Sequence, residues 1–172
     1  MNIMTKVDKP NFDKAGNPLG REFSDAMAAL RGFAQSSLQS AVVFSAGLNP
    51  GLYSYCAQFP DFLPDAYGQL KKRIILKVSD YRSALIQGRF LAKKGLWVDE
   101  FRVESGLNCG GHAFATPGHL LGPILAEFAE KRTELAETLR SSCETAWEQL
   151  GLPALRQEYQ LKLSAPRRRR HS

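Results

Sequence analysis

Cys109 and His112 flank Gly110 and Gly111 in the run Glu104-Ser-Gly-Leu-Asn-Cys-Gly-Gly-His112, where the chain concentrates residue types able to do chemistry. Paired glycines let a backbone approach a ligand closely or adopt positive φ. A histidine titrates near neutrality and can accept a proton. Several chemistries are open to this run. Cys109 and His112 supply two metal ligands, and no second Cys/His pair at ordinary metal spacing follows. Cys109 is also a candidate nucleophile with His112 or His119 as its base, against the plainer reading of a small buried cysteine. The glycine amides can cradle a phosphate, helped by the positive end of a following helix. For His112 a structural hydrogen-bonding role stands beside the proton-accepting one, and His119 reads as a surface or packing residue.

The elements that must position this run form a parallel βαβ unit. Residues 73–79 are a near-continuous apolar run of the kind found in strands covered on both faces. Ser79 or Asp80 can cap a helix that reaches about residue 94, with Gly95 just past its end. A second strand over 97–103 leads into the glycine-rich turn, which places that turn beyond the carboxyl end of a strand, where ligands sit in parallel α/β folds. Lys77 and Asp80 are candidates for the same rim, with capping as the simpler role for Asp80. Asp99, Glu100 and Glu104 cannot all face one site, because a strand alternates its side chains.

Upstream, Ser24 is a good N-cap for a helix over 24–39, with Phe23, Met27, Leu30, Ala34 and Leu38 as its apolar stripe. A short buried strand over 41–45 follows, and residues 52–68 read as loop with one short helical turn. Downstream, Thr116-Pro117 opens a helical pattern that continues through Leu135, Leu139, Cys143, Ala146 and Trp147 to Gly151-Leu-Pro153. Leu161 and Leu163 then alternate as a brief strand. The expected domains are an irregular lead-in over 1–22, a single α/β domain over 23–163 and a basic disordered tail over 164–172.

Length and composition agree with that division. The chain has 172 residues and three cysteines at wide spacing, which suits one core without a disulfide framework and a reducing, cytoplasmic setting. No apolar run of membrane-spanning length is visible, so no membrane partner is expected. The formal charge is +6, and four arginines, Arg167 to Arg170, supply much of it. A terminal run of this sort reads first as a solvated end, with nucleic-acid binding the weaker reading.

The segment from Ile74 to His112 resembles one βα segment of the nitronate monooxygenase family, FMN-dependent enzymes built on a TIM barrel. Members typically carry Gly-x-Glu-Ala-Gly-Gly-His at this place. Here Gly106, Gly110, Gly111 and His112 match, while Asn108 and Cys109 replace the usual Glu and Ala. The resemblance implies FMN as cofactor, with Gly106, Gly110 and Gly111 near it and His112 as the base acting on a small-molecule substrate. A complete barrel usually takes about 250 residues. The expectation is therefore a partial TIM-barrel-like unit, with a compact three-layer α/β domain as the alternative fold. The matching alternative function is a non-catalytic module that binds a phosphate-bearing ligand or assembles with a second copy or partner chain completing the fold.

Overall fold

The computed structural model describes residues 1–4, 8–45, 47–104, 121–157 and 160–165. Strands and helices alternate along the chain: β1 Asn2–Met4, α1 Asp25–Gln35, β2 Ala41–Ser45, α2 Pro50–Cys56, β3 Arg73–Val78, α3 Tyr81–Ala92, β4 Val98–Val103, α4 Leu121–Gln149 and β5 Lys162–Ser164. The five strands form one sheet in the order β1-β2-β3-β4-β5, every neighbouring pair parallel. This is the α/β architecture with parallel βα units expected from the sequence. Crossovers that all run the same way across a sheet place their helices on one face. The helices accordingly touch in chain order, α1 on α2, α2 on α3 and α3 on α4.

Local signals explain the boundaries. Ser24 Oγ accepts the Met27 amide at the start of α1, and Asp80 Oδ1 accepts the Ser83 amide at 2.6 Å at the start of α3. Gly95 takes φ 78° after α3, and a Cβ there would stand 3.0 Å from the Trp147 ring, whose Nε1 donates to the Gly95 carbonyl at 2.7 Å. That bond ties the end of α3 to the end of α4.

The core lies between the sheet and the helices. Val42, Phe44, Ile74, Leu76, Phe101 and Val103 present the buried face of the strands, and Leu30, Tyr53, Leu91, Leu139 and Trp147 come from the helices.

Three expectations are corrected. The lead-in is not irregular throughout: Asn2–Met4 forms the edge strand β1, too short to show a period but held by parallel pairing with Val43 to Ser45. The first helix ends at Gln35 rather than near residue 39, leaving Leu38 60% exposed and Phe23 49% exposed, outside the core. β3 is not covered equally on both faces. Its burial alternates, with Ile74, Leu76 and Val78 buried and Ile75 and Lys77 only half-buried.

Candidate functional site

The carboxyl ends of β2, β3 and β4 bring together the residues best placed to meet a ligand. Glu104 follows β4 and donates its amide to the Val78 carbonyl at 2.9 Å, so the chain leaves the sheet here beside the end of β3. Gly106, Cys109, Gly110, Gly111, His112 and His119 follow that point in sequence and lie outside the described residues. So does the start of the helical pattern at Thr116-Pro117, and so do Arg167 to Arg170.

On the face away from the helices, neighbouring strands set residues side by side. Val43 pairs in register with Ile75 and Ile75 with Glu100, while Lys77 pairs with Arg102 one step toward the carboxyl edge. Lys77 Nζ lies 3.0 Å from Glu104 Oε2, both side chains about 15% exposed. Glu100 holds Arg102 at 3.1 Å and accepts the Ser164 hydroxyl, and Asp99 holds Lys162 at 3.2 Å. A register shift opposite Ile74 and Ile75 makes Asp99 the extra residue of β4. The three carboxylates upstream of the turn are thus ion-paired. Glu100 and Glu104, four residues apart, share a strand face.

A buried polar network holds these loops in place. Tyr53 of α2 donates its hydroxyl to Gln87 Oε1 at 2.7 Å, and Gln87 Nε2 donates to Ser83 Oγ at 3.0 Å. The same Tyr53 hydroxyl reaches the Gly47 carbonyl at 3.4 Å, linking the β2 loop to the first turns of α3. Burial pushes the Tyr53 phenol well above its ordinary range, so it stays a neutral donor.

Asn49, in the loop after β2, is 8% exposed; its Oδ1 accepts the Leu52 amide at 3.1 Å while its Nδ2 has no hydrogen-bond partner among the described residues. A buried donor left unmade costs roughly 1 to 3 kcal/mol. Val43 and Ile75 lie side by side in register, both half-buried.

Asp80 is a helix cap, as capping alone would have it, and Lys77 is on the rim side of β3. Sequence reasoning passed over Asn49, Tyr53 and Gln87. The Asn49-Pro50 pair is an N-cap and first-turn signature, and Gln87 interrupts the apolar stripe between Ala84 and Leu91; those were the available signals.

The chain matches no protein-family model, no curated protein and no solved structure. Among the described residues, no helix is long and apolar enough to cross a membrane.

Proposed function

We propose that the chain is part of an FMN-linked oxidoreductase resembling nitronate monooxygenase, with its ligand site at the carboxyl edge of the sheet. The observation that carries this reading is the unbroken parallel order β1 to β5, which is the arrangement of one arc of a βα barrel. The chain leaves the sheet at Glu104, on the edge where such barrels hold their ligands, and the Gly-Gly-His run follows in sequence.

In this reading Gly106, Gly110 and Gly111 allow the backbone close to the cofactor. Asn49 and Lys77 would be the hydrogen-bond donors that hold it, and Val43 with Ile75 would supply apolar contact. Bound FMN supplies an acceptor for the substrate's electrons. His112 takes the substrate proton onto a ring nitrogen, and Glu104, held by Lys77, leaves that task to the imidazole.

The reading is tested by titrating the purified chain with FMN and following the flavin absorbance. Binding is expected, and His112→Ala is expected to retain it while turnover falls about a hundredfold or more. A monodisperse sample that binds no flavin rejects the cofactor, and equal turnover in the variant rejects the base.

A non-catalytic assembly module is the second reading. It is favoured by the outer edges of β1 and β5, which pair with no further strand among the described residues. In it a second copy or a partner chain completes the sheet.

A further inference from the structure

At the opposite, amino-terminal edge of the sheet, a cleft of about 280 Å³ is lined by Lys71, Arg73 and Arg156 together with Gln39, Gln69 and Gln157. Among the described residues, no acidic side chain lines it. Among the described residues, none of the three cations forms an ion pair or a side-chain hydrogen bond. Upstream of Lys71, the two nearest carboxylates in sequence are already committed: Asp65 to the amides of Tyr67 and Gln69 at 2.8 and 3.0 Å, and Asp61 to Lys72 Nζ at 2.8 Å.

The fold builds this convergence. Arg73 opens β3, and its amide donates to the Ser40 carbonyl at 3.0 Å, which sets Gln39 beside it. Arg156 comes from the segment between α4 and β5, whose amide donates to the Gly68 carbonyl at 3.0 Å. Gly68 permits that approach: it takes φ 71°, and a Cβ there would stand 2.5 Å from the Ala154 carbonyl oxygen. A turn stiffened by Asp65 therefore holds the Arg156 backbone at the cleft that the cations at the start of β3 also line.

Three positive side chains held around one cleft repel each other, and an anion placed among them removes that repulsion. Guanidinium forks match the paired oxygens of phosphate and carboxylate groups, and glutamine amides add neutral donors. The cleft is small, and Leu70 is the one apolar side chain among the described residues that line it, so it suits a compact anion rather than a ligand with a large apolar part. We infer that this cleft binds a compact multiply charged anion, a phosphate ester or a small polycarboxylate, at a site separate from the carboxyl edge.

The test is calorimetric titration of the full chain with pyrophosphate and with citrate, each at constant ionic strength, with sodium chloride as the screening control. Saturable binding of either anion is expected, and the tighter of the two identifies the phosphate or the carboxylate source. Arg156→Gln and Lys71→Gln are each expected to weaken it about tenfold, the scale of a lost charge-assisted hydrogen bond. Gly68→Ala should weaken it with the charge unchanged, by displacing the Arg156 segment. Arg82→Gln, which removes an exposed charge from α3, should leave it unaltered. A response no larger than that to chloride overturns the site, and so does equal weakening by Arg82→Gln.

Discussion

Cys56 and Cys143 are fully buried thiols with no part in the rim chemistry, and burial raises both above the ordinary thiol range. The sign of their effect on stability follows from that direction. In the unfolded chain a thiol ionises near pH 8.5, while in the fold it keeps its proton, so above that pH the unfolded state is favoured. Stability is fully present below about pH 8.5 and falls by up to about 1.4 kcal/mol per pH unit for each buried thiol above it. Urea unfolding measured between pH 8 and 10 should show this decline, with a shallower slope in Cys56→Ala. An unchanged slope in that variant would mean that Cys56 does not keep its proton in the fold. The consecutive cations Lys71, Lys72 and Arg73 show how little residue type alone discloses. Lys72 is 2% exposed, held by Asp61 and by the Ser36 carbonyl at 2.7 Å, while its two neighbours are exposed. Nothing in their common charge separates them; Lys72 falls in phase with the buried Ile74, Leu76 and Val78 of the strand that follows, and its neighbours fall out of phase.

At the scale of elements, sequence patterns located the central strands and their caps well, because these carry strong local chemistry. β2 has the expected bounds, β3 ends one residue early, and Ser24 and Asp80 cap as expected. α2 falls where the sequence reads as loop with one short helical turn: its seven residues are too few to show a helical period, and its identity rests on the Asn49 cap and Pro50. β1 and β5, three residues each, owe their form to pairing with a neighbour distant in sequence. The site was legible only as far as its place on the rim. Asn49, Tyr53 and Gln87 meet through tertiary packing that no local spacing encodes. Packing also decides the role of Gly88 in α3. A Cβ there would lie 3.1 Å from both Leu139 methyls of α4 and 3.2 Å from the Phe101 ring of β4. The missing side chain lets helix, helix and strand close up. Gly88→Val adds branched bulk at this three-way contact and is expected to destabilise the fold by about 2 to 3 kcal/mol, read from the urea midpoint. A loss of a few tenths would show that α4 can move away at little cost.

Across the whole molecule, stability should grade from the middle of the sheet to its margins. β3 and β4 are six residues long and each pairs with a strand on both sides, whereas β1 and β5 are three residues long and pair on one side among the described residues. Amide exchange reports the free energy of the opening that exposes each bond, so central strands should exchange through global unfolding and marginal ones through smaller openings. Hydrogen exchange read by mass spectrometry is expected to show peptides spanning 74–78 and 98–103 slowest, and those spanning 2–4 and 162–164 much faster in dilute solution. Concentration then separates an open sheet from one that is completed. If a second copy adds to an outer edge, mass action favours the paired state as concentration rises. The edge peptides should then slow while the central ones do not change. Edge exchange that stays fast at every concentration removes the second copy.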